Sequence, residues 1–149
     1  MEKYVVFRLE NESYAIEVSS VQSIETVQPT TRLPYTEQFV TGLMTLRGVL
    51  VPVVDLRLYF GLDRREPTPE SRVVVVSKDE KLTGLLVDSA TNVIDIPDED
   101  IDFSLSDVAG YATKTALKGI AKTDGMIIAL LDVHKILDTG SEAMATYTG

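Results

Sequence analysis

Few side chains in this sequence have a type and spacing that could perform catalysis. The only histidine, His134, follows Asp132 at i+2, and there is no cysteine, so neither an ordinary zinc site nor a cysteine nucleophile can be assembled. The acidic run Asp98 to Asp102 lacks the spacing and central glycine of a calcium loop. Gly42 and Gly48 are flanked by apolar residues, without the Lys-Ser or Lys-Thr of a phosphate loop. The sequence therefore predicts a binding module without catalytic, metal or cofactor sites.

One residue does suggest recognition chemistry. Arg47 precedes Gly48 at a predicted turn between two apolar strands in the segment Gly42 to Arg57. A glycine suits the positive φ of a tight hairpin turn, but turn geometry gives no reason for an arginine. Arg47 is therefore either a solvated surface residue or a guanidinium displayed for a partner, because its fork of donors matches carboxylates.

The elements that position Arg47 occur twice in the chain. The plan of an apolar hairpin followed by a helix-starting aspartate recurs about 77 positions later, and an earlier pair of strands recurs at an offset of about 69. The matched pairs are Gly42 with Gly119, Leu43 with Ile120, Gly48 with Gly125, Asp55 with Asp132, Val5 with Val74, Val18 with Val87 and Ile24 with Val93. At the second turn Asp124 takes the place of Arg47. One β-rich unit was thus used twice.

Composition limits the class of partner. The 149 residues are 44% hydrophobic and 25% charged, with a formal net charge of −9. This acidity disfavours nucleic acids and anionic membranes, which attract basic surfaces. No apolar run approaches the roughly 20 residues of a membrane span, and the N-terminus runs straight into a strand pattern. We therefore expect a soluble cytoplasmic protein with no direct membrane insertion.

Many short strands with frequent turns predict an all-β barrel or sandwich class. Two copies of this size predict small barrels that share core residues, with 73–76 and 49–54 as the candidate buried strands. The polar segment Gly61 to Ser71 is the clearest linker. The predicted subdomains within the single 1–149 domain span approximately 15–70, and 1–14 plus 71–149. Ser19 is expected to cap a short helix that carries the stripe Val18, Val21 and Ile24.

The segment 42–57 closely resembles the CheW family of bacterial chemotaxis adaptors. The Leu-Arg-Gly turn followed by Pro-Val-Val-Asp-Leu is specific to that family, and Lys122 to Gly125, continuing to Asp132, resembles its second segment. The resemblance covers Tyr4 to about Leu137. It implies two intertwined, five-stranded SH3-like β-barrels with a few short helices, and it implies no catalysis.

The resemblance also implies partners and sites. Members couple transmembrane chemoreceptors to the histidine kinase CheA, by binding the cytoplasmic hairpin tip of receptors and the regulatory domain of the kinase. The receptor-binding positions are Val18, Val21, Ile24 and Arg47. The kinase-binding positions are Val40, Leu43 and Gly48. The protein would be cytoplasmic and recruited to membrane-associated receptor arrays.

Two positions depart from the family pattern, and other functions stay open. Thr45 stands where the family often has Asn, and Ser23 stands where some members carry a charge in the receptor groove. An adaptor of a related non-chemotaxis sensory pathway shares every one of these sequence features. A small-ligand-binding β-barrel or a small β-barrel enzyme would instead need converging polar groups in a deep pocket.

Overall fold

The computed structural model describes residues 2–34, 36–104 and 116–137. The short helices are α1 (Leu56–Tyr59) and α2 (133–137), with 3₁₀ turns at Val18–Ser20 and Asp98–Asp100. The strands are β1 (Glu2–Leu9), β2 (Glu12–Glu17), β3 (Val21–Thr26), β4 (Val40–Leu46), β5 (Val49–Asp55), β6 (Arg72–Lys78), β7 (Lys81–Val87), β8 (Ser89–Ile96), β9 (Ile101–Asp102), β10 (Leu117–Thr123) and β11 (Met126–Leu131).

The strands form two sheets. The first barrel contains β3-β6-β7-β5-β4, and the second contains β8-β1-β2-β11-β10-β9. The all-β class, with two SH3-like barrels and a few short helices, is confirmed. The second sheet has one strand beyond the five predicted, because the two-residue β9 pairs with β10.

The two sequence copies exchange their first hairpins. Strands β1 and β2 belong to the first copy but pair with β8 and β11 of the second, whereas β6 and β7 pair with β3 and β5 of the first. The exchange follows the repeat closely: Val53 pairs in parallel with Gly84, and its counterpart Leu130 pairs in parallel with Ala15. Each barrel is therefore built from both copies, which is what makes them intertwined.

Because of this exchange, the chain does not divide into its two sheets at the linker, where the predicted subdomain boundary lies. The first sheet takes its strands from 21–87, and the second takes its strands from 2–17 and 89–131. The predicted subdomains, approximately 15–70 and 1–14 plus 71–149, placed β6 and β7 together with β8 to β11. Pairing of β6 with β3 and of β7 with β5 places them in the first barrel instead.

Apolar clusters fill both barrels and the space between them. In β6, Val73 and Val75 pack inside the first barrel, whereas Val74 and Val76 pack in the cluster shared by the barrels. The predicted burial of 73–76 is therefore confirmed. The shared cluster comprises Val5, Phe7, Leu9, Ile16, Val54, Leu56, Val74, Val76, Leu85, Val87, Ala116, Leu131, Val133, Ile136 and Leu137.

The prediction for 49–54 is wrong at one end of the strand. Val51, Val53 and Val54 are buried, but Val49 is 51% exposed and Leu50 is 65% exposed. Both residues directly follow the β4–β5 turn, and hydrophobicity alone does not show where a strand leaves the core.

A buried arginine of α1, Arg57, binds the turn of the exchanged β1–β2 hairpin. The guanidinium of Arg57 contacts Glu10 in the β1–β2 turn, donates to Asp88 Oδ2 at 2.7 Å, and donates from Nε to the Asp63 carbonyl at 2.9 Å. Arg65 reaches the Glu10 carboxylate at 3.1 Å. Removing one partner from such a buried charge is unfavourable, so the four side chains hold the two copies in one arrangement.

Substituting Val75→Asp tests the placement of the core. Val75 is fully buried in the first barrel, so an unpaired carboxylate there should lower the free energy of unfolding by about 3 kcal/mol or more. The matched control is Val93→Asp on the 55% exposed Val93, which should cost less than about 1 kcal/mol. Urea denaturation measures both, and equal losses would show that the core is misplaced.

The Arg57 contacts predict an acid-sensitive contribution to stability. Hydrogen bonding from Arg57 lowers the pKa of Glu10 below its ordinary value, against the opposing effect of partial burial. A carboxylate with a lowered folded-state pKa stabilises the fold above its unfolded-state pKa, and that stabilisation is lost as pH falls through the folded-state value.

Glu10→Gln should therefore unfold more easily than the wild type near neutral pH, and the difference should shrink below about pH 4. The exposed Glu12→Gln is the control, with unfolding followed by circular dichroism at each pH. A Glu10→Gln deficit that stays constant down to about pH 3 would show that the carboxylate charge contributes nothing.

Candidate functional site

The β4–β5 turn places Arg47 in a backbone conformation that arginine rarely adopts. Its φ is +50° and that of Gly48 is +82°, while the second turn has +51° at Asp124 and +75° at Gly125. Aspartate, asparagine and glycine tolerate this left-handed region better than arginine does. The first turn thus carries a residue that its geometry disfavours, as expected if the side chain is kept for another purpose.

Arg47 is exposed but not isolated. Its Nη2 lies 3.6 Å from Glu25 Oε2 in β3, and the side chains are 72% and 17% exposed. A pair this accessible contributes little to stability, but it brings the guanidinium close to β3. Sequence reasoning missed Glu25, because nothing in the local pattern pairs residues on separate strands.

The predicted stripe exists, but a strand carries most of it. Only Val18–Ser20 forms a 3₁₀ turn, Ser19 makes no capping hydrogen bond, and Val21 and Ile24 lie in β3. The helix prediction is wrong because β3 pairs with β6, and β-branched side chains favour a strand. A register shift between Val21 and Ser23 lets Val21 and Ile24 share one side of β3, although they are three residues apart.

The stripe lies where the shared core reaches the surface. Val18 and Val21 are half-buried against that core, and Ile24 is 43% exposed. Glu25, next to Ile24, carries the ion pair with Arg47. Successive side chains of a strand point to opposite faces, so Arg47 meets β3 on the side of Glu25, whereas Val18, Val21 and Ile24 form the apolar stripe. The four predicted receptor-binding positions thus border β3 without all sharing one face. We call them the β3 surface.

The predicted kinase-binding positions differ in how exposed they are. Leu43 is half-exposed in β4 opposite Pro52, and Gly48 is exposed at the turn, where an added Cβ would meet nothing within 4 Å. Val40 is only 7% exposed, so it can support this region by packing but offers little contact area. Leu43 and Gly48, together with the exposed Leu50, define what we call the β4–β5 face.

Exposed apolar residues follow the internal repeat. The matched exposed pairs are Ile24 with Val93, Val49 with Met126, and Leu50 with Ile127. Scattered apolar residues are normal on protein surfaces, but their recurrence at equivalent positions shows that the repeat shapes the outside as well as the core. Arg47 and Glu25 break this symmetry, because the second turn has Asp124.

Other kinds of site are not apparent in 2–34, 36–104 and 116–137. These residues hold no group of three or more histidine, aspartate or glutamate side chains placed to bind a metal ion. His134 is exposed, and its backbone N–H donates to Asp132 Oδ1 at 3.0 Å as part of a helix cap. None of the helices described has the length and apolar character needed to cross a bilayer.

Arg47→Asn tests whether Arg47 contributes to folding. Asparagine accepts a positive φ, and the lost ion pair is exposed, so the free energy of unfolding should not fall by more than about 0.5 kcal/mol. Asp124→Asn, at the matching position of the second turn, is the control. Urea denaturation of both variants is the measurement. A loss above about 1.5 kcal/mol for Arg47→Asn alone would make Arg47 a structural residue.

Comparison with known proteins agrees with this architecture. The model of the CheW-like domain matches residues 3–141. The chemotaxis protein CheW of Bacillus subtilis is 33% identical over 144 residues, which cover 97% of this chain and 92% of that protein. CheW of Thermotoga maritima is 32% identical over 133 residues, covering 89% and 85%.

A solved structure is also similar. The crystal structure of the scaffolding protein TtCheW from Thermoanaerobacter tengcongensis superimposes with a TM-score of 0.78 at 31% identity, covering 89% of this chain and 84% of that one. The residues matched by the family model, 3–141, include strands of both barrels and both exchanged hairpins. The chain belongs to the CheW family of chemotaxis proteins.

Proposed function

We propose that this protein is a non-catalytic adaptor that couples chemoreceptors to the histidine kinase CheA. Membership of a family of chemotaxis proteins supports the pathway. The observation that carries the coupling role is the pairing of two accessible surfaces on one barrel, the β3 surface and the β4–β5 face, which meet at Arg47 and Gly48. An adaptor needs two such surfaces in a fixed relation.

The β3 surface is suited to the cytoplasmic hairpin tip of a receptor. A half-buried apolar stripe with a guanidinium beside the strand that carries it fits an amphipathic helix with apolar anchors and a nearby carboxylate. Val18, Val21 and Ile24 would receive the anchors, and Arg47 would pair with the carboxylate. Glu25 Oε2 lies 3.6 Å from Arg47 Nη2, so a receptor carboxylate would share the guanidinium with Glu25.

The β4–β5 face is suited to the regulatory domain of CheA. Leu43 and Gly48 lie on it, and Leu50 adds exposed apolar area. Gly48 lets a partner backbone approach closely, since no side chain covers the turn. Val40 acts from beneath, by fixing β4 against β5 through its pairing with Val54.

Each contact needs only moderate affinity. A micromolar interface supplies roughly 8 kcal/mol, and repetition of such contacts in an array raises the overall stability without any single tight contact. The protein would then act in the cytoplasm and be held at the membrane by its receptors. It need not enter the bilayer to be recruited there.

Receptor binding tests the first surface. Arg47→Asn should weaken binding of a soluble receptor hairpin-tip fragment about tenfold, because a charge-assisted pair is lost, while the fold is retained. Isothermal titration calorimetry measures the affinity, and Asp124→Asn is the matched control. Unchanged affinity with Arg47→Asn would remove Arg47 from the receptor surface.

Kinase binding tests the second surface. Leu43→Glu should weaken binding of the CheA regulatory domain by at least about tenfold, because a charge must be desolvated against an apolar partner. Ile120→Glu, at the matching position of the second barrel, should change the affinity much less. Equal losses for both variants would contradict the assignment of the kinase to the first barrel. Melting curves confirm that both variants are folded.

A further inference from the structure

Strand β3 has an open edge. It pairs with β6 on one side, and on its other side no strand within 2–34, 36–104 and 116–137 pairs with it. The connection that follows β3 joins β4 at the antiparallel bridge between Thr31 and Leu43. Because the bridge is antiparallel, four steps back from Thr31 and four steps forward from Leu43 bring residue 27 level with Arg47. Residues 21–26 therefore extend past the end of the β4–β5 hairpin, and their edge is accessible.

The alternation of hydrogen bonds along the sheet shows which backbone groups face this edge. A two-residue turn at 79–80 joins β6 to β7, and counting from that turn makes Val74 hydrogen-bonded to β7. The residues on either side of Val74 therefore bond to β3, where their partners are Ser23 and Glu25. Ile24 lies between these two, so its N–H and C=O point away from β6. No hydrogen bond among the described residues engages either group.

Side chains at the same place are also incompletely satisfied. Ser23 Oγ is buried and has no hydrogen-bond partner in the described part of the chain, which is unfavourable for a hydroxyl. Glu25 faces the same side of β3 as Ser23, because their partners in β6, Val73 and Val75, both belong to the first-barrel core. Ile24 faces the other side and is 43% exposed. The edge thus lacks a neighbouring strand, an acceptor for Ser23 and a cover for Ile24.

We propose that β3 pairs with β3 of a second copy of this chain, antiparallel and centred on Ile24. At this centre the outward N–H and C=O of Ile24 bond to those of the partner's Ile24, and the two side chains cover each other. On the same face Gln22 lies opposite the partner's Thr26. On the other face Ser23 lies opposite the partner's Glu25, whose carboxylate accepts the hydrogen bond that the Ser23 hydroxyl does not make in the monomer.

The sequence of β3 is complementary to itself in this register. Its centre is apolar, each neutral polar side chain faces another, and each hydroxyl faces a carboxylate. Centring the pair on Glu25 would set two carboxylates opposite each other, and centring it on Ser23 would set Ile24 opposite the partner's Gln22. Self-complementarity about a twofold axis is what a symmetric dimer requires. A second copy is therefore the occupant that this edge fits.

The dimer goes beyond the proposed adaptor function and does not rest on it. Only the six residues of β3 pair, so the contact is smaller than the roughly 1,200 Å² of a stable interface, and we expect a dissociation constant of about 100 µM. Pairing covers Ile24, which belongs to the β3 surface, so the dimer and a receptor helix would exclude each other there. Self-association is measured with the protein alone, so its failure would leave the adaptor function untouched.

The internal repeat provides a contrasting strand. In β8, the counterpart of β3, Asn92 and Ile94 stand where β3 has Ser23 and Glu25. Ile94 packs against the core of the second barrel. The same register in β8 would set an amide opposite an apolar side chain, so it should not pair with itself. Val93, the counterpart of Ile24, is 55% exposed and serves as the control position.

Disulfide trapping tests the register. The chain has no cysteine, so Ile24→Cys introduces a single thiol. In a hydrogen-bonded antiparallel pair the Cα atoms lie about 5.5 Å apart, within the range that a disulfide spans. In a buffer of oxidised and reduced glutathione, with protein at about 200 µM, Ile24→Cys should form at least about five times as much covalent dimer as Val93→Cys. Non-reducing electrophoresis measures both, and equal amounts would overturn the proposal.

Sedimentation equilibrium tests the pairing without a covalent bond. Ile24→Lys and Ile24→Glu should each remain monomeric, because like charges meet across the twofold axis, and an equimolar mixture of the two should associate. Ser23→Ala should weaken the wild-type dimer about threefold without making the monomer easier to unfold, because the monomer loses an unpaired hydroxyl. The proposal is overturned by a wild type that stays monomeric up to about 1 mM, tenfold above the expected dissociation constant, or by a mixture that associates no better than its components.

Discussion

The shared apolar core between the barrels is the contact on which the rest of the structure depends. Val74 and Val76 of β6 meet Val5, Phe7 and the other shared residues of the exchanged hairpin there. Because each barrel takes two strands from the other sequence copy, neither can close its sheet alone. The stacked rings of Phe7, Tyr14 and Phe60, with centroids 5.9 and 5.6 Å apart, extend this contact from the hairpin to the segment after α1.

The two copies differ most clearly at two arginines of the first copy. The repeat preserves the turns, the capping aspartates and the exposed apolar pairs, and these follow from folding one unit twice. Arg47 replaces a turn-favouring aspartate and pairs with Glu25, and Arg57 takes the place that His134 occupies in the second copy. The first difference leaves an exposed charge on the surface, and the second buries a charge that contacts Glu10 of the exchanged hairpin.

Local sequence rules predicted the local structure well. Gly48 and Gly125 lie at positive φ in tight turns, Asp55 and Asp132 cap the helices that follow them, and 73–76 is buried. The resemblance identified the barrels and the family. The helix expected at Ser19 is a strand after three residues, because pairing with β6 outweighs a weak local preference.

What the sequence could not reveal depends on contacts between distant residues. An internal repeat does not show whether the hairpins are exchanged, because equivalent residues would pair in the exchanged and in the unexchanged arrangement. Val40 and Leu50 are both apolar strand residues, yet one is buried and the other is 65% exposed. Glu25, Glu10 and Asp88 gain their roles only from arginines on other elements. The predicted functional residues were thus placed by family resemblance, and their electrostatic partners became visible only in three dimensions.

The central claim is that one rigid molecule presents two docking surfaces at once. Analytical ultracentrifugation of this protein with a soluble receptor hairpin-tip fragment and the CheA regulatory domain tests it most directly. The account predicts a ternary complex heavier than either binary complex, with neither partner displacing the other. Mutual displacement, with only binary complexes at saturating concentrations, would show that the β3 surface and the β4–β5 face are a single site and would contradict the account.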